Sequence, residues 1–123
     1  MSTTVNNHFN RVTDTVTGAK TLALADSGVV QNVTATATIT LPATSGKNYF
    51  IIRNGGKYDC EVQVTISPNS SDEISGGNFT AVADKDIVNT LATSRPGDEV
   101  HLMGDGTDGY TITQIIGTWA YQA

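Results

Sequence analysis

The clearest pattern along the chain is an alternation over Asn32 to Leu41. Val33, Ala35, Ala37, Ile39 and Leu41 fall on one side, and Thr34, Thr36, Thr38 and Thr40 on the other. A period of two with β-branched residues on the polar side specifies a half-buried strand and suits a helix poorly. Pro42 ends the run because it lacks a ladder donor. Ser45-Gly46 then turns the chain into Tyr49-Phe50-Ile51-Ile52, and Cys60, Val62, Val64 and Ile66 repeat the alternation further on.

The same grammar predicts strands near 20–25, 29–41, 48–53, 60–67, 78–82, 86–93, 98–103 and 109–121. The breaks between them carry turn chemistry: Asp26-Ser27-Gly28, Asn54-Gly55-Gly56, Ser75-Gly76-Gly77, Pro96-Gly97 and Gly104 to Gly109. Short strands at such intervals predict an all-β fold, an antiparallel β-sandwich or jelly-roll-like single domain over residues 19–123. Asp84 to Ala92 admits a helix as an alternative, since Ile87 and Leu91 are four apart, although Thr90 and Thr93 are weak helix formers.

Residues 1–18 read differently, as an N-terminal arm. Val5, Phe9, Val12 and Val16 are spaced by three or four, which hints at a helical stripe. Asn6-Asn7, Asn10 and the threonines oppose it, and Gly18 closes the segment. An extended arm that orders against a partner is the preferred reading, because its few apolar residues do not offset a backbone entropy of roughly 1–2 kcal/mol per residue. Val5, His8, Phe9, Arg11 and Val12 are its candidate contact residues. Phe9 is the natural anchor, and only Asp14 opposes the charge of Arg11.

With 123 residues the chain has the length of one domain, and charged residues make up only 15% of it, which suits a turn-rich β domain. A net charge of −5, with Arg11, Lys20, Lys47, Arg53, Lys57, Lys85 and Arg95 scattered singly, argues against nucleic acid. Met1 to Thr4 lack a signal-peptide pattern, and no apolar run is long enough to span a bilayer, so a product made in a reducing cytoplasm is expected, without membrane partners. Cys60 reads as a small buried hydrophobe. The sequons at Asn32, Asn69 and Asn78 are unremarkable in so Asn- and Thr-rich a chain.

Tests for chemistry leave no catalytic residue, cofactor or metal. His101, between Val100 and Leu102, reads as an exposed strand histidine, and His8 lies in the arm. Asp72-Glu73 and Asp98-Glu99 are adjacent at strand entrances, so their side chains diverge, and they read as solvated turn charges. Asp105-Gly106-Thr107-Asp108-Gly109 raises a calcium question but fails the EF-hand spacing; a hairpin joining Val100-Leu102 to Tyr110-Ile112 is the simpler expectation. Trp119 and Tyr121 fit a last strand pinned into the core by Trp119.

One ordered set of short motifs goes further. It comprises Leu24 to Gly28, Ile39-Thr40-Leu41-Pro42 followed by Ser45-Gly46, Tyr49 to Gly55, Val64-Thr65-Ile66, Gly97 to Val100 and Gly109-Tyr110. Over residues 20–121 it resembles small all-β virion modules of tailed bacteriophages, both head decoration (cement) proteins and tail appendages. The resemblance implies a non-enzymatic structural role, commonly as a homotrimer, and transfers no specific binding residue. The expected function is capsid decoration: binding the major capsid protein at the capsid exterior of the virion and stabilising the head. The alternative is a trimeric tail-fibre or receptor-binding module that recognises surface glycans. A small lyase or esterase is the third expectation, disfavoured by the missing constellation.

Overall fold

The computed structural model describes residues 12–122. The chain is β throughout, in two sheets, with two single 3-10 turns at Leu24–Asp26 and Leu91–Thr93. The strands are β1 (Thr13–Val16), β2 (Lys20–Thr21), β3 (Val30–Val33), β4 (Ala37–Thr40), β5 (Tyr49–Asn54), β6 (Val64–Ser67), β7 (Glu73–Gly76), β8 (Ile87–Asn89), β9 (Glu99–Gly104), β10 (Gly109–Ile116) and β11 (Ala120–Tyr121). The first sheet is six-stranded, in the order β1-β3-β5-β9-β10-β7. The second is five-stranded, in the order β11-β8-β6-β4-β2.

The winding of the N-terminal half departs from the antiparallel expectation. Odd strands β1, β3 and β5 stack in parallel in one sheet, and even strands β2, β4 and β6 stack in parallel in the other. Parallel neighbours need a long crossover between them. Here each crossover is a strand of the opposite sheet in place of a helix, so the chain winds as three stacked coils. Only the C-terminal half supplies antiparallel pairs: β9 with β5, β10 with β9, β8 with β6 and β11 with β8. β7 joins β10 in parallel at the far edge.

The alternation at 33–41 holds in burial but spans two strands. Val33 ends β3 in the first sheet, Ile39 lies in β4 of the second, and 34–36 carry the chain between them. Both sheets feed one core. Val33, Phe50, Ile52, Val100, Leu102 and Tyr110 are among those from the first, and Ile39, Val64, Ile66 and Ile87 among those from the second, with Leu41 and Trp119 added from outside the strands. Trp119 is pinned there, its Nε1 donating to the Ile116 carbonyl at 3.0 Å.

Other elements moved. The strand expected over 78–82 is absent; Phe79 makes an isolated bridge to Gly76, whereas the unforeseen β7 lies just before it. The 86–93 segment is a short strand followed by a 3-10 turn, so the helical alternative over 84–92 does not form. The segment expected as an arm to Gly18 is drawn into the sheet from Thr13, with Val16 in the core. Lys20 explains part of this: its Nζ lies 2.8 Å from Gln31 Oε1, 3.4 Å from Asp14 Oδ2 and 3.6 Å from Asp26 Oδ1. Asp14 therefore faces Lys20 within the first coil, and Lys20 in turn ties that coil to Gln31 in β3. Among the described residues no helix is long and apolar enough to cross a membrane.

Candidate functional site

Of the contact residues expected in the arm, Val5, His8, Phe9 and Arg11 lie outside the described residues. Val12 is described. Its carbonyl accepts from Val30 N at 2.8 Å, while its side chain is 66% exposed. It stands where the chain enters β1, at the edge of the six-stranded sheet.

The outer face of that sheet carries a polar chain built by register. Pairing sets Ile51 opposite His101 and Arg53 opposite Glu99, and it places Tyr49 one step along the same face. Glu99 Oε2 lies 2.5 Å from His101 Nε2, and His101 Nδ1 lies 2.8 Å from the Tyr49 hydroxyl. A neutral imidazole with its proton on Nε2 satisfies both contacts, donating to the carboxylate and accepting from the phenol. Arg53 Nη1 donates to Asn32 Oδ1 at 2.9 Å, and its Nε lies 4.0 Å from Glu99 Oε1. A cleft of about 270 Å³ adjoins, lined by Thr13, Val30, Asn32, Arg53 and Glu99. Structurally the array clasps β5 to β9. The expectation of an exposed His101 is therefore corrected, since its side chain is only 12% exposed.

Asp98 and Glu99 do diverge, to opposite faces of the sheet, but neither is solvated: both are buried. Asp98 closes a second network, on the core side. Its Oδ2 accepts from Arg95 N and from Asn89 Nδ2, each at 2.9 Å. Asn89 Oδ1 accepts from Asn54 Nδ2 at 2.7 Å, and Asn89 Nδ2 also donates to the Thr118 carbonyl at 3.0 Å. Asn54 and Asn89 are fully enclosed, and such groups persist in a core only when paired. Gly117 lets the chain pass close by. Its φ is +94°, and a Cβ there would sit 2.2 Å from Asp98 Oδ1.

Over this network lies a cavity of about 420 Å³, whose lining includes Asp59, Cys60, Thr93, Arg95, Asp98 and Thr118. Gly117 and Thr118 also border a neighbouring cleft of about 310 Å³ that Asn78, Phe79, Ile115 and Trp119 line. Cys60 is exposed, in contrast to the expected buried position. It adopts φ 60° in the turn before β6, and its Sγ donates to the Ala92 carbonyl at 3.2 Å.

The Asp105 loop is the hairpin expected between β9 and β10. Asp105 Oδ1 accepts from the backbone N–H groups of Thr107, Asp108 and Gly109 at 2.8, 2.8 and 3.0 Å. These bonds, that of Gly109 foremost, hold its carboxyl below the ordinary value of 3.8. That oxygen is spent on backbone donors, which gives the aspartate a turn-forming role. Beside the hairpin the buried Tyr110 hydroxyl donates to the Pro42 carbonyl at 2.8 Å and accepts from Asn48 Nδ2 at 3.0 Å. Burial and then the charge of Asp72 push its ionisation upward.

Sequence reasoning missed Tyr49, Arg53 and Glu99 beside His101, and Asn54 and Asn89 beside Asp98. A signal existed for the first group: Glu99 and His101 are two apart on one strand face, as are Tyr49, Ile51 and Arg53. No family model and no curated protein matches the chain.

Proposed function

We propose that the protein is a non-enzymatic virion structural protein that decorates the exterior of a phage head, binding the major capsid protein as a homotrimer and stabilising the shell. On this reading it is made in the host cytoplasm, and its two sheets act as the halves of a sandwich domain. The observation that carries the reading is the point where the N-terminal segment meets the domain. β1 and β2, the first coil, each form one edge of a sheet, and the exposed Val12 stands at the entrance to β1. A segment entering there can lie along a neighbouring shell subunit while the β domain remains intact above it. The three-fold arrangement lets several weak contacts act together, since effective concentration multiplies them.

The test is occupancy of heads lacking the protein by the full chain and by a chain without residues 2–11, at equal concentration, read by co-sedimentation. Full-length protein is expected to load and the truncated chain to load less. Failure of the full chain to load overturns the reading; equal loading transfers attachment from the N-terminal segment to the surface of the β domain. Sedimentation equilibrium of the free protein checks the trimer separately.

A further inference from the structure

Two clefts meet at Gly117 and Thr118. The larger, at about 420 Å³, falls within the range of small-ligand sites. Its lining combines a guanidinium, Arg95, with the carboxylate of Asp59 and the hydroxyls of Thr93 and Thr118. Among the described residues, the side chain of Arg95 makes no hydrogen bond and no ion pair; only its backbone is engaged, its N–H donating to Asp98 Oδ2 at 2.9 Å and its carbonyl accepting from Asp98 N at 3.1 Å. The smaller cleft shares Gly117 and Thr118 with the larger and is lined further by Asn78, Phe79, Ile115 and Trp119.

This set of groups constrains a ligand. Arg95 offers a planar fork of donors that a carboxylate matches in two parallel bonds. Asp59, together with the Asp98 carboxylate at the floor, repels an anion that has nothing to donate. The occupant must therefore be anionic at one end and rich in hydroxyl donors at the other. The neighbouring aromatic and aliphatic floor favours a ring with an apolar C–H face. A hexuronic or sialic acid residue within an oligosaccharide meets all three conditions: a carboxylate, several hydroxyls and a face of C–H groups.

We infer that the paired clefts at the β10–β11 connection bind an acidic saccharide. Arg95 takes the carboxylate, Asp59 and Thr93 the ring hydroxyls, and Phe79 the adjoining sugar. The rigid wall behind the site comes from the Asn54–Asn89–Asp98 network, which fixes the Arg95–Asp98 turn without using the Arg95 side chain. The inference stands apart from attachment to a particle, since neither cleft includes the N-terminal segment.

The test is titration of the intact protein with trigalacturonate and with sialyllactose, against maltotriose and lactose as neutral counterparts, followed by calorimetry. One acidic ligand is expected to bind, and its neutral counterpart to bind about tenfold or more weakly, the scale of a charge-assisted pair. Arg95→Gln should remove that difference, and Arg95→Lys should restore only part of it because the fork is lost. Arg95 is exposed, and an unchanged thermal melt of each variant confirms that the fold survives. Absence of binding by both acidic ligands, equal binding by the neutral ones, or full affinity in Arg95→Gln each overturns the inference.

Discussion

At the scale of single residues, the chain places its polar groups where geometry can satisfy them, and the consequences for stability are specific. Asp105 is the plainest case. Its carboxylate accepts three backbone bonds in the β9–β10 hairpin, and its ionisation is shifted below 3.8. A carboxyl depressed in the folded state contributes stability above its unfolded value, and this is lost as pH falls through the folded one. Asp105→Asn should therefore be less stable than wild type at neutral pH, and the difference should fade as pH drops below 3.8. Denaturant melts across that range decide it; a difference independent of pH would show that the charge is irrelevant to the turn. Ile39 tests the core instead. It is wholly buried in β4, and Ile39→Ala should cost roughly 2–5 kcal/mol in a chemical melt. A loss under about 0.5 kcal/mol, typical of a surface position, would contradict its placement.

At the scale of elements, the sequence was most legible where a strand is half-buried and flanked by turn residues. β4, β6 and the β9–β10 hairpin announce themselves by alternation and glycine or proline stops, and β5 by a short apolar run closed by Asn54-Gly55-Gly56. What alternation cannot convey is which strand lies beside which: it assigns faces, whereas pairing direction depends on the path between strands. The parallel winding was invisible for that reason, and so was the corner at 34–36, where one continuous pattern serves two sheets. β1 was hidden by its composition. Thr13, Asp14 and Thr15 are exposed edge residues, and Val16 alone reaches the core. The Glu99–His101–Tyr49 chain was half legible, since spacing put Glu99 and His101 on one face, but only the register of β5 against β9 supplies Tyr49.

The boundary of the N-terminal segment follows from β1. Deleting residues 2–11 should leave the melting temperature nearly unchanged. Deleting 2–17 removes a paired strand together with the buried Val16, worth about 1.5–3 kcal/mol in apolar burial alone, and should lower it by roughly 5 °C or more. Equal melting temperatures for the two truncations would show that β1 adds nothing to the domain.

At the scale of the whole molecule, the two sheets are joined by more than apolar contact. Asn89 in β8 of one sheet bonds to Asn54 at the end of β5 in the other and to Asp98 at the entrance to β9. Asn89→Ala takes one partner from each of these enclosed groups, Asn54 Nδ2 keeping its bond to the Val62 carbonyl and Asp98 Oδ2 its bond from Arg95 N, so a loss of about 1–3 kcal/mol is expected. The double-mutant cycle with Asn54→Ala should show strong non-additivity; additive losses would mean that the two bonds are independent.

The alternate winding also dictates an order of events as the chain emerges from the ribosome. β1 and β2 find their neighbours one coil later, so the first coils can close soon after they are made. β5 and β6, however, are left with bare edges until β8 and β9 arrive, because Tyr49 waits for Met103 and Ile66 for Ile87. During that interval a nascent chain presents unpaired strands rich in isoleucine, the situation most prone to pairing between chains. A fragment ending at Ser67 should accordingly aggregate, and β8 together with the late β9–β10 hairpin acts as the closing stitch that makes the product safe to release.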